Sequence, residues 1–154
     1  MPERRRLLIV YHTQSGHTGQ LAAAVFEGAS RVEEVDCVML RAFDAGPDDL
    51  RAADALLLGT PENFGTMSGG LKDFFDRTYY PVEGQMEGVP YAVFVSAGND
   101  GTGAVREIER IAHGYGWRTI AEALIVRGEI GAPDLLAARD LGEAMATGLS
   151  LGIY

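Results

Sequence analysis

Alternating strand-like and helix-like segments along 154 residues predict an α/β fold: three layers, with a doubly wound, five-stranded parallel sheet between two sets of helices. Three observations carry this. Apolar runs recur without in-and-out alternation, as in strands covered on both faces. A helical stripe follows each of them. No internal repeat, low-complexity tract or linker interrupts the pattern, so residues 1–154 read as one domain.

Leu7 to Tyr11 is the first strand, and Arg4-Arg5-Arg6 before it reads as a solvated entry. Leu21, Ala22, Val25, Phe26 and Ala29 then share a helical face after Thr18. Asp36 to Leu40 is the second strand and contains Cys37, read as a small buried hydrophobe. A short helix is expected from Pro47 to Ala53, with Asp48 and Asp49 at its positive end. The third strand is Ala55 to Leu58. Leu71, Phe74, Phe75 and Thr78 mark a helix beginning near Ser68. Tyr79, Tyr80 and Pro81 are expected to follow that helix, as either a dimer contact or a buried loop anchor. Tyr91 to Val95 is the fourth strand. Val105, Ile108, Ile111, Ala112 and Tyr115 form the next stripe, stopped by Gly114 and Gly116. A fifth strand at Ile120 to Val126 is weaker, because alanine and glutamate interrupt it. Leu135, Leu141, Met145 and Leu149 complete the pattern, in a helix entered through Pro133-Asp134.

Thirteen basic against twenty-two acidic residues give a net charge of −9, which argues against sequence-independent nucleic-acid binding. No apolar run approaches the roughly 18–20 residues that cross a bilayer. The start Met1-Pro2-Glu3 and the short apolar run after it do not form a signal-peptide core, and Cys37 stands alone. The expected location is therefore the cytoplasm, without a disulfide or a multi-cysteine metal site.

In open parallel sheets, ligands bind beyond the carboxyl ends of the strands, where strand order reverses. After the first strand stands His12-Thr13-Gln14-Ser15-Gly16-His17-Thr18-Gly19, leading directly into a helix. Hydroxyls, glycines and a helix N-terminus together make an anion site built from neutral donors. Thr and Ser are also ordinary N-caps, so both readings stand. After the third strand, Gly59 to Gly70 reads as a twelve-residue loop containing Pro61, Glu62, Asn63, Phe64, Gly65 and Met67. That mixture suits a flat ring with a polar edge, or else a lid. After the fourth strand comes Ser96-Ala97-Gly98-Asn99-Asp100-Gly101, again glycine-rich and helix-initiating. Nine of the twenty glycines lie in or beside these three loops, so one crevice with a phosphate end and an aromatic end is expected.

Other nucleotide sites fail on residue identity. A triphosphatase P-loop needs G-x-x-x-x-G-K-[ST], and the only lysine, Lys72, lies inside a helical stripe. No G-x-G-x-x-G follows the first strand, and neither a G-x-S-x-G elbow nor metal-ligand spacing is present. His12 and His113 have no partner pattern.

Thr13-Gln14-Ser15-Gly16-His17-Thr18 resembles the phosphate loop of flavodoxin-like FMN proteins. Gly59-Thr60-Pro61-Glu62-Asn63-Phe64-Gly65-Thr66-Met67-Ser68-Gly69, with Leu71-Lys72-Asp73-Phe74-Phe75-Asp76-Arg77, is similar to their second flavin loop and following helix. The nearest branch is that of tryptophan-repressor-binding-protein-like NAD(P)H:quinone reductases. The resemblance implies strand order 2-1-3-4-5 and FMN as cofactor. It implies that Thr13, Ser15, Gly16, His17, Thr18 and the Gln14 backbone hold the phosphate. Pro61, Glu62, Asn63, Phe64 and Gly65 then border the isoalloxazine on one side, and Ser96, Ala97, Gly98, Asn99, Asp100 and Gly101 on the other.

The third loop has no aromatic, so one flavin face is expected to be open to a hydride donor or a quinone. Glu62 and Asp100, if near the ring, are expected to lower its potential. The resemblance thus implies an oxidoreductase that uses NADH or NADPH to reduce a quinone or flavin. A one-electron carrier whose acidic surface docks on redox proteins is the other reading.

Overall fold

The computed structural model describes residues 4–154; the polar start Met1-Pro2-Glu3 lies outside the described residues. Strands β1 (Arg5–Tyr11), β2 (Val35–Arg41), β3 (Ala55–Asn63), β5 (Pro90–Ala97), β6 (Arg118–Thr119) and β7 (Leu124–Arg127) are parallel. The short β4 (Thr66–Met67) runs antiparallel to β3. Helices α1 (His17–Ala29), α2 (Pro47–Arg51), α3 (Gly69–Val82), α4 (Thr102–Tyr115) and α5 (Ala132–Ser150) connect them.

The sheet path is β2-β1-β3-β5-β6, with β7 also on β5 and β4 hanging from β3. Five positions are filled in the expected 2-1-3-4-5 sense by six strands, and β4 is the seventh. The weak fifth strand is split: Arg118–Thr119 pairs with Pro90–Tyr91, and Leu124–Arg127 pairs with Phe94–Ala97. The break falls near Ala121-Glu122-Ala123, which has no side chain favouring a pleated surface. Such an interruption also blunts a free sheet edge.

Alternate residues of one strand enter opposite cores. Leu8, Val10, Leu56, Leu58, Val93 and Val95 pack with Leu71, Phe74 and Phe75 of α3 and Ile108 of α4. Leu7, Ile9, Leu57 and Phe94 pack with Leu21 and Val25 of α1 and Met145 and Leu149 of α5. Both faces are therefore apolar, which is why β1, β3 and β5 read as unbroken hydrophobic runs.

Three local details differ from the sequence reading. Tyr79, Tyr80 and Pro81 lie within α3, whose last turn tolerates the proline, and do not follow it. Gly114 is likewise inside α4; the stop is Gly116, at φ +83°. Cys37 is half-buried because β2 is an edge strand, and burial pushes its thiol up to about 11, so it stays protonated.

α5 starts where the Gly131 N–H donates to Asp134 Oδ2 at 2.8 Å. It then packs closely on α1 through Gly142, where an added methyl would collide with the Val25 carbonyl. An alanine in a helix interior gains about 1 kcal/mol over glycine. Here overpacking against backbone, worth about 1–3 kcal/mol or more, opposes that gain. Gly142→Ala should therefore lower the urea midpoint. Gly114→Ala, whose methyl meets only Tyr79 Cε1 at 4.0 Å, should raise it. Equal shifts in the two variants would contradict this account of the α1–α5 contact.

Candidate functional site

The chain runs from β1 outward to β2 and then returns to β3 on the other side of β1, so strand order reverses between β1 and β3. His12 N–H donates to the Gly59 carbonyl at 3.1 Å across this reversal. The first loop then climbs to Gly16, the N-cap of α1. Gly16 sits at φ +100°, in the left-handed region, with no side-chain cap and open space where a Cβ would project. Thr13 Oγ1 accepts from the Gly19 N–H at 3.1 Å, fixing the loop against the first turn. The start of α1 thus presents backbone donors and the positive end of the helix dipole.

The second segment is not the expected twelve-residue loop. β3 continues to Asn63 and returns as β4, with Glu62 opposite Met67 and Asn63 opposite Thr66. Phe64 at φ +51° and Gly65 at φ +80° form the tip, the two left-handed residues of a primed hairpin turn. Phe64 pays a strain of about 1–2 kcal/mol for that conformation, and its ring is fully exposed. A hydroxyl cluster anchors the hairpin base. The Ser68 N–H donates to buried Thr60 Oγ1 at 2.9 Å, and Ser68 Oγ lies 3.0 Å from His12 Nδ1 while capping α3. His12 therefore has a structural role: burial and the Arg41 charge hold its pKa below the ordinary value.

In the third segment, Ser96 and Ala97 still belong to β5 and are buried. Ser96 Oγ and Thr18 Oγ1 share a buried 2.7 Å hydrogen bond, so the Thr18 hydroxyl is engaged within the protein. Gly98, Asn99 and Asp100 are exposed, and Arg127 Nε holds the Asp100 carbonyl at 2.8 Å. The Asp100 carboxylate accepts from the Thr102 hydroxyl at 2.8 Å, and this bond keeps it below the usual carboxylate range. Glu62 reaches the same helix. Its Oε1 accepts from Gly101 N–H at 2.9 Å, and its Oε2 from Gly103 and Ala104 N–H at 3.1 and 3.3 Å. Both acids are thus engaged at the N-terminus of α4, and Glu62 also borders the cleft described next.

A cleft of about 380 Å³ lies between these segments, bordered by Gln14, Ser15, His17, Pro61, Glu62, Asn63, Ser96, Ala97 and Gly98. Asn63 Nδ2 donates to Gln14 Oε1, joining the first loop to the hairpin. Phe64 instead lines a separate hollow of about 630 Å³ with Lys72, Arg110 and Ile111, and Asn63 borders both. Thr13, Gly16, Thr18, Gly65, Asn99, Asp100 and Gly101 support the cleft without lining it. Gly128 and Glu129 line it and were missed by the sequence reading. They follow β7, so inspection of the carboxyl end of the fifth strand was the signal that would have found them. Glu129 Oε2 stands 3.9 Å from His17 Nε2. Among the described residues no group of three or more His, Cys, Asp or Glu is placed to hold a metal ion.

The Thr18–Ser96 bond is buried, so removing one partner strands the other at a cost of about 1–3 kcal/mol. Thr18→Val should lower stability by that amount in urea unfolding without added ligand. Thr18→Val combined with Ser96→Ala should recover part of the loss, and simple additivity of the two changes would refute the pairing.

Residues 7–129 match the family described as NADPH-dependent FMN reductase. The chain is 33% identical to a flavodoxin of Aquifex aeolicus, over 64% of this chain and 53% of that protein. It is 35% identical to an NAD(P)H dehydrogenase (quinone) of Acidithiobacillus ferrooxidans, over 59% of this chain and 56% of that one. The chain therefore spans little more than half the length of these curated relatives. A flavodoxin structure from the domain Archaea superposes with a TM-score of 0.84 at 24% identity, over 94% of this chain and 98% of that one. A WrbA-like flavodoxin from Agrobacterium tumefaciens does so at 0.80 and 25% identity, over 96% and 98%. The sheet order, the position of the cleft and the match over most of its length agree: this flavodoxin-like chain belongs to the NADPH-dependent FMN reductase family.

Proposed function

We propose that the cleft holds FMN and that the protein is an FMN-dependent oxidoreductase using NADH or NADPH to reduce a quinone or free flavin. The observation that carries this reading is the glycine-led N-terminus of α1, with no carboxylate on its first amides, opening into a crevice at the strand-order reversal. The donor set suits a phosphate monoester: the amides at the start of α1, with exposed Ser15 and half-exposed His17 beside them. Asn63, Pro61 and Gly98 offer backbone and small polar groups to the ring's edge. Bound there, the flavin would supply the redox chemistry, and the protein binding, orientation and electrostatics. His17 contributes a donor to the phosphate, and Gln14 and Asn63 hold the first loop against the hairpin. No aromatic side chain stands in residues 96–103, and Phe64 lines the separate hollow, so a bound ring would be left accessible to donor and acceptor.

A flavodoxin-type one-electron carrier is the second reading, supported by the near-complete mutual coverage with flavodoxin structures. No helix among the described residues is long and apolar enough to cross a membrane. We place the protein in the cytoplasm on the strength of its single, half-buried thiol. Exposed Tyr80 and the hollow it shares with Tyr79, Ile111 and Tyr115 support a homodimer through α3 and α4.

Purified protein should take up FMN with a flavin visible spectrum, and NADPH or NADH should bleach it and drive quinone reduction. FMN uptake without pyridine-nucleotide oxidation would favour the carrier; no uptake of FMN would reject both. Glu129 is exposed and faces the phosphate end, so its charge acts weakly across solvent. Glu129→Gln should tighten FMN about two- to threefold and leave riboflavin unchanged, as read by flavin fluorescence titration.

A further inference from the structure

Two helix N-termini meet the cleft, and they are finished differently. α1 begins at Gly16, and among its first amides the Thr13 hydroxyl takes that of Gly19. α4 begins at Gly101, which has no cap from its own side chain, yet three of its amides are taken by one carboxylate. That carboxylate belongs to Glu62, 39 to 42 residues earlier in the chain and on the rising arm of the hairpin. Charge-assisted bonds of this kind are stronger than neutral ones, and the helix dipole adds to them. A second contact lies beside the first. Gly103 is pressed so closely on the Gly65 carbonyl at the hairpin tip that a side chain there would collide with backbone.

We propose that Glu62 is a positioning residue: it plugs the N-terminus of α4 and thereby makes the hairpin and the third segment one rigid wall of the flavin cleft. The proposal rests on the FMN reading above and specifies how the site is built. Two consequences follow from the geometry. The hairpin arm carrying Pro61 and Asn63 cannot open away from Gly98 to Gly101 without breaking the bonds to Glu62. The positive end of α4 is already neutralised from within, so of the two termini α1 is the one left for a phosphate. The ring portion is then directed toward the wall that Glu62 holds together. The carboxylate acts through the backbone it fixes.

The test compares wild type with Glu62→Gln, using FMN and riboflavin as ligands and amide hydrogen exchange on the ligand-free protein. Glutamine keeps one acceptor oxygen but turns an N–H₂ group toward amide donors, so part of the triple bond set is lost. Riboflavin and FMN affinities should both fall about tenfold and by the same factor, because the phosphate end is untouched. Exchange at Gly101, Gly103 and Ala104 should rise together with exchange at Thr66 and Met67. Exchange in the α1–α5 contact should stay unchanged, which separates loosening of the wall from general destabilisation. Glu62→Asp, one methylene too short to reach all three amides, should reproduce the pattern. Affinities within twofold of wild type, a loss confined to FMN, or faster exchange in only one of the two segments would overturn the proposal. If wild type binds no flavin, the FMN reading fails, and the exchange results still decide whether Glu62 couples the two segments.

Discussion

Burial of the central strands on both faces is the constraint from which the rest of this molecule follows. β1, β3 and β5 satisfy their amides sideways and send alternate side chains into two separate cores. They cannot present polar groups along their length. Parallel connections then return every strand in the same direction, so the first turns of α1 and α4 and the hairpin leave the sheet at one end. The amides at the starts of α1 and α4 and the polar groups of the hairpin are therefore gathered at that end. The cleft is a consequence of the sheet's packing before it is a consequence of any particular side chain.

Within that end, the distribution of charge decides polarity. Glu62 consumes the positive terminus of α4, and Asp100 caps the same turn through Thr102. α1 has Gly16, hydroxyls and His17 at its start, and no carboxylate bonded to its first amides. In an acidic protein with a single lysine, the start of α1 carries neither Lys nor Arg, and its oriented amides supply the local positive field. Two acidic residues line the cleft: Glu62, which is tied to α4, and Glu129, which stands near His17.

The elements that were legible share one property: their signal is local. Leu7 to Tyr11, Ala55 to Leu58 and Tyr91 to Val95 announced themselves by composition, and the stripes of α1, α3, α4 and α5 by spacing. The Gly59 to Gly70 segment was not legible, because its glycines read as flexibility. Its strand pairing depends on Glu62 meeting Met67 across a tip in which phenylalanine adopts a left-handed conformation, a choice local propensity opposes. The site was legible by position and only partly by contact. Ser15, His17, Asn63 and Gly98 reach the cleft. Thr18 spends its hydroxyl on Ser96, a partner 78 residues away that no spacing rule reveals.

By itself, the sequence determined the layer architecture, the end of the sheet at which the glycine-rich segments gather, and the absence of lysine from the first of them. These follow from hydrophobic period and residue identity, which act over a few neighbours. Tertiary structure alone decided what each polar group does there. A carboxylate near a flavin and a carboxylate capping a distant helix are the same letter in the chain. The difference lies in which amides come within hydrogen-bonding distance of it, and those amides arrive only when β3 and β5 lie side by side.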